Sequence, residues 1–257
     1  MRRLGRRDAS GPDVPGPHEG WTSEASSALA LAGFLGLVFT GFTLLVMGRL
    51  MALDQYFNLA PPPSGWVPVL HLLDRVGQRA ICLPILAVVV WVCCRKERSW
   101  RPAVIAVGAV LLLNLVVGIL KLALGRGQPA PADPSFFIGG MAYPSGHTAN
   151  IVLVYGLAVY LLGRYYRVSR GEYAVLWSAV AGLSVMMVVV SLSLNWHWFA
   201  DLIAGLIVGG MMLELTVAAD AALPEDAFAH GLRAFLRDSL AAVRRVTSSL
   251  ARRNPLL

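Results

Sequence analysis

Residues 28–47 read ALALAGFLGLVFTGFTLLVM, twenty consecutive positions without a charge. A helix rises ~1.5 Å per residue, so this run reaches across the ~30 Å hydrocarbon core of a bilayer. Backbone polar groups find no water there, and a helix satisfies them within its own turns. The run is therefore a membrane-crossing helix. Arg2, Arg3, Arg6 and Arg7 precede it as they would a secretory signal. The apolar part of such a signal is only ~7–15 residues long, however, and no small-residue cleavage site follows here. The helix is expected to be retained.

The same pattern recurs outward from this segment. Apolar windows cover Ala80 to Cys94, Ala103 to Leu120, Thr148 to Gly163, Ala174 to Leu194 and Trp198 to Ala219. The second and fourth of the six spans are short and need flanking residues to cross. Composition agrees: 56% of the residues are apolar and 14% charged, where a soluble domain carries about 25% charged. The expected fold class is all-α, a polytopic membrane protein with six transmembrane helices. Residues 1–27, rich in Gly, Pro, Ser and charge, read as a disordered basic tail. Residues 28–219 form the membrane domain, and residues 220–257 a C-terminal tail that is amphipathic and basic. Trp66, Val69, Leu70, Leu73 and Val76 recur at helical spacing and predict a short interfacial helix in the 49–79 segment.

Basic residues orient the bundle. The N-terminal tail, the RKERSWR and GRYYRVSR loops and the C-terminal tail hold most of the 22 Lys and Arg residues. All four lie on the same side, which places both termini in the cytoplasm of a cell (plasma or inner) membrane. The net charge of +7 reflects this asymmetry and contact with membrane lipids, and nucleic-acid binding is not expected. Cys82, Cys93 and Cys94 all fall in the second span, with neither disulfide nor metal-ligand spacing.

Polar groups at the ends of such helices need explaining. YPSGHTAN, residues 143–150, runs straight into the fourth span. Pro144 and Ser145 suit a helix start, Gly146 lets a ligand approach the backbone, and the free N–H groups there favour an anion. His147 would sit beside that anion, and Lys121, ending the third span, would reach it as a point charge. Between the last two spans, SLNWHWFAD carries His197 and Asp201, four apart and on one face if helical. A carboxylate there fixes the tautomer of an imidazole and raises its basicity. Singly, each residue reads as well as an interfacial side chain or a cap, like the neighbouring Trp196 and Trp198. Together, on one side of the membrane, they suggest phosphoryl transfer with one histidine attacking and the other serving as acid.

This ordered set resembles the type 2 phosphatidic acid phosphatase (PAP2) superfamily. Its pattern is Lys, six residues, Arg-Pro; then Pro-Ser-Gly-His; then Ser-Arg, five residues, His, three residues, Asp. Lys121 and Pro129 match the first motif, Pro144 to His147 the second, and His197 and Asp201 the third, over about residues 110–217. The resemblance implies a six-helix PAP2-like bundle without metal or other cofactor. It also implies the catalytic roles: His197 as nucleophile, Asp201 holding its ring and His147 protonating the leaving oxygen. Lys121, Ser145 and Gly146 would cradle the phosphoryl oxygens. The family's two arginines fall on Gln128 and Ser191, which retain neutral hydrogen-bonding groups. Arg126 is the nearest basic substitute, with Arg75 and Arg79 further off.

The activity implied is hydrolysis of a lipid phosphate or diphosphate (polyprenyl diphosphate, phosphatidic acid or similar) through a phosphohistidine at the extracytoplasmic face. Two alternatives stay open: a phosphotransferase using an alcohol acceptor, and a catalytically impaired PAP2-like protein that binds lipid. Gly205 and Gly209 form a small-residue face suited to packing within the bundle or to a homo-oligomer.

Overall fold

The computed structural model describes residues 17–129, 133–224, 228 and 237. Residues 220–222, expected in the C-terminal tail, are the last turn of α9. Of the rest of that tail only residues 223, 224, 228 and 237 are described, and the first sixteen residues of the N-terminal tail lie outside the described residues. Every regular element described is helical. In chain order they are α1 (Pro17–Val46), α2 (Met51–Tyr56), α3 (Val67–Asp74), a 3-10 turn (Arg75–Gly77) and α4 (Arg79–Glu97). Then come α5 (Arg101–Leu124), α6 (Gly146–Asn150), a π-helical turn (Ile151–Tyr155), α7 (Gly156–Tyr165), α8 (Arg170–Ser193) and α9 (Phe199–Ala222).

Among the described residues five helices are long and apolar enough to cross a membrane, the third of them running continuously from Gly146 to Tyr165. α4 becomes a sixth when joined to α3 and its 3-10 turn, from which it bends by 41°. Large apolar side chains line the outside of the bundle, among them Phe34, Leu37, Val88, Leu111, Leu122 and Val185. Hydrocarbon tolerates such a surface and water does not. The chain is a multi-pass membrane protein.

Local sequence sets the helix ends. α1 begins at Pro17, so residues 17–27, expected in the tail, are helical. Proline suits a first turn, and the Ser- and Glu-containing stretch after it carries the helix beyond its apolar part. α8 opens on a capping box: the Glu172 N–H donates to Ser169 Oγ (3.2 Å) and the Ser169 N–H to Glu172 Oε2 (2.8 Å). α5 stops at Gly125, whose φ of +52° is left-handed backbone that glycine adopts without strain.

The core lies between α4, α5, the 146–165 span and α9, with Cys82, Leu86, Leu113, Leu153, Leu157, Val208 and Met212 buried together. α1 packs along α9. Gly205 and Gly209 face inward: a Cβ on Gly205 would run into Thr148 Oγ1 and the Ser145 carbonyl, and one on Gly209 would meet the Ala149 carbonyl at 2.7 Å. The small-residue face is thus used inside the bundle, bringing the start of α9 against the start of α6. At the far end of the bundle the buried Asp220 ties three helices together. It accepts from Arg101 Nε (2.7 Å) on α5 and from Tyr160 Oη (2.8 Å) on α7, and pairs with Arg164 Nε (3.0 Å).

Candidate active site

α9 starts at Phe199, so His197 lies in the turn before the helix and does not share a helical face with Asp201. The two meet across the helix cap. Asp201, third residue of α9, turns back so that Oδ2 accepts the Trp198 N–H (2.9 Å) and stands 3.4 Å from His197 Nδ1. Nδ1 is thereby the nitrogen committed to the carboxylate, which leaves Nε2 as the free one.

The other oxygen of Asp201 accepts from Arg126 Nη1 at 2.6 Å. Arg126 Nη2 binds Asp54 of α2, and its Nε donates to the Pro134 carbonyl (3.1 Å). Asp54 also accepts the Ala200 N–H at 2.8 Å. All three side chains are fully buried, and the guanidinium lies 4.9 Å from the ring centre of Phe136 and 5.9 Å from those of Tyr143 and Trp198. Burial pushes the Asp54 carboxyl above its usual range, against the pull of the hydrogen bond and charge of Arg126. Burial likewise pushes the Tyr143 phenol up to about 12, so it stays neutral beside Thr43 Oγ1 at 2.7 Å.

Ser145 caps α6, and its N–H donates to the Asp201 carbonyl (2.9 Å), so the second and third motifs are joined through backbone. Its own Oγ is buried without a partner among the described residues. An orphaned hydroxyl costs free energy that a bound acceptor would restore. In front of Gly146 the space is open: a Cβ there would meet nothing within 4 Å. Lys121 Nζ donates to the Met141 carbonyl in the loop leading to Ser145. Lys121, His197 and Arg79 all lie close enough to His147 to act on its charge.

Residues 102–223 match the family model described as the PAP2 superfamily. This is a PAP2 superfamily membrane protein. Its fold resembles that of the first transmembrane PAP2-type phosphatidylglycerolphosphate phosphatase from Bacillus subtilis. The TM-score is 0.63 at 18% identity, over 76% of this chain and 98% of that one. No curated protein matches in sequence.

In this PAP2 protein, Lys121, Ser145, Gly146, His147, His197 and Asp201 come together at one end of the bundle. Arg126 does not take the place expected of it. Its guanidinium is out of reach of any ligand, with Nε, Nη1 and Nη2 occupied by the Pro134 carbonyl, Asp201 and Asp54, so it anchors Asp201. Ser191 is also turned away: it is buried on α8 with Oγ 3.5 Å from Met187 Sδ. Gln128 is exposed.

Two carboxylates at this end escaped the sequence reading. Asp54 and Asp74 each appear as one acidic residue among apolar ones in the 49–79 segment, yet both are buried. Asp74 ends α3 and lies 3.6 Å from His147 Nε2. Glu214, unassigned by the motifs, lines a cavity of about 590 Å³ at the opposite end of the bundle with Glu24, Arg164 and Trp177.

Proposed function

We propose that this PAP2 protein is a metal-independent phosphatase of lipid phosphates, acting at the extracytoplasmic face of the cell membrane with both termini in the cytoplasm. The observation that carries the reading is the His197–Asp201 pair facing a second histidine and the orphaned Ser145 hydroxyl. The resemblance in fold to a phosphatase of a lipid phosphate supports it.

With Nδ1–H held on Asp201, the Nε2 lone pair of His197 attacks phosphorus. The P–O bond breaks with its electron pair on the leaving oxygen, which takes a proton from His147. Water then attacks the phosphohistidine, His147 accepts the proton of that water, and cleavage of the P–N bond releases inorganic phosphate. Lys121, Ser145 and the Gly146 N–H hold the phosphoryl oxygens. Arg79, exposed and close enough to His147 to act on its charge, is an arginine available to the phosphoryl group. Loss of a preorganised donor facing developing charge costs ~10²–10³ in rate. With Gln128 and Ser191 at the motif arginine positions, turnover is expected to be slow.

The test is phosphate release by the full-length protein in detergent without added metal. The panel holds phosphatidic acid, phosphatidylglycerophosphate and a polyprenyl diphosphate, with His197→Ala as control. Release that the control abolishes supports hydrolysis. Phosphate that appears only on an added alcohol supports the transferase alternative. No turnover in either form rejects both.

A further inference from the structure

Asp74 is a fully buried carboxylate whose surroundings only half satisfy it. Oδ2 accepts from Gln78 Nε2 at 3.0 Å. Oδ1 is buried without a partner among the described residues. Burying an anion costs several kcal/mol unless a cation or hydrogen bonds compensate. The adjacent group able to become that cation is His147, whose Nε2 lies 3.6 Å from Oδ2 while 31% of its side chain stays exposed.

The backbone around Asp74 is fixed against the helix that carries His147. Tyr155 Oη donates to the Val76 carbonyl (3.0 Å) and Asn150 Nδ2 to the Gly77 carbonyl (3.5 Å). Gly77 itself lies on the imidazole: a Cβ there would meet Met187 Cε at 2.8 Å, His147 Cβ at 3.3 Å and His147 Cδ2 at 3.4 Å. The Cδ2–Nε2 edge of the ring is therefore packed against the 3-10 turn. With Nε2 turned to Asp74, Nδ1 is the nitrogen through which His147 would serve a phosphoryl group.

We propose that Asp74 is the positioning residue of His147, so that the site contains two histidine–carboxylate pairs, His197–Asp201 and His147–Asp74. The inference rests on the phosphatase reading above. Asp74 faces the Nε2–H of the imidazolium, while the Nδ1–H bond breaks as the leaving oxygen gains its proton. Arg79, Lys121 and His197, the other charged or titratable groups acting on His147, are all basic. Asp74 is what balances them when the ring is charged. The pair matters most where the leaving oxygen is a poor leaving group, as in a lipid phosphomonoester. It matters little where that oxygen departs as a stable anion.

The test compares first-turnover rates of the full-length wild type, Asp74→Asn and His147→Ala on phosphatidic acid and on p-nitrophenyl phosphate. General-acid catalysis contributes ~10²–10⁴ in rate. Asp74→Asn is expected to slow phosphatidic acid by ~10²-fold at unchanged KM and p-nitrophenyl phosphate by under ~10-fold, with His147→Ala showing the same selectivity. Equal losses on both substrates, or none on either, overturn the pair while leaving the phosphatase reading intact. If the wild type turns over neither of these nor any lipid of the panel above, the phosphatase reading fails, and imidazole ¹⁵N NMR decides the pair. The His147 signals, assigned by their loss in His147→Gln, should show the proton of the neutral ring on Nε2 in the wild type and shared between the nitrogens in Asp74→Asn. Spectra unchanged by Asp74→Asn overturn the proposal.

Discussion

Arg126 Nη1 lies 2.6 Å from Asp201 Oδ1, and neither side chain is exposed at all. With Asp54 on its other side, the guanidinium is a buried cation between two carboxylates, joining α2, Pro134 and the start of α9. Removing one partner of such a pair costs about 3–5 kcal/mol, because the others remain charged and unpaired. Arg126→Ala should lower the detergent-solubilised protein's unfolding temperature sharply, and Arg126→Lys by less. An Arg126→Ala protein with unchanged melting and only a raised KM would instead mark Arg126 as a phosphate ligand.

Asp201 has two separable duties. Asp201→Asn keeps the shape of the side chain but gives the Nδ1 edge of His197 a mixed donor and acceptor. In a serine-protease triad the corresponding change costs ~10⁴ in kcat. Here a fall of ~10²–10⁴ in kcat is expected, with a lower melting temperature because Arg126 loses a counter-charge. Kinetics and calorimetry on the same sample separate the two effects. Unchanged kcat would dismiss Asp201 as the orienting group.

Ser145→Ala should move activity and stability in opposite directions. The buried Oγ has no partner in the ligand-free protein, so its removal leaves stability equal or slightly higher. If Oγ binds a phosphoryl oxygen, one hydrogen bond of about 1–1.5 kcal/mol is lost from the bound state, a reduction of ~10-fold in kcat/KM. A large loss of stability would show that the hydroxyl is structural.

How much of this was legible in the sequence varies by residue. The spans declare themselves because twenty uncharged apolar residues have few other fates, and the fold follows from their number and spacing. Ser145, His147, His197 and Asp201 are legible because short motifs carry them into helix starts. The mutual placement of the carboxylates and Arg126 is not. Arg126 lies in a glycine-rich loop, where an arginine normally reads as exposed. Asp54 reaches Arg126, and Asp74 reaches His147, only through tertiary packing across distant parts of the chain. The His197–Asp201 spacing also suggested a helical face, where the chain instead uses the turned-back geometry of a cap.

Gly205→Ala tests the packing that joins the motifs. Its Cβ would collide with Thr148 Oγ1 and the Ser145 carbonyl, neither at the end of a long side chain. Overpacking of this kind costs about 1–3 kcal/mol. Lower melting and lost activity are expected together, whereas Gly146→Ala, facing open space, should melt like the wild type and lose activity alone. Wild-type melting of Gly205→Ala would show that the contact can relax.

The most direct measurement is to trap the covalent intermediate. The full-length protein is mixed with ³²P-labelled phosphatidic acid, quenched within one turnover and digested for peptide mapping. The expected result is acid-labile, alkali-stable label on His197, absent from His197→Ala and accumulating in His147→Ala given an activated ester. Phosphate release without label on His197, or with label on another residue, would contradict a phosphohistidine mechanism at this site.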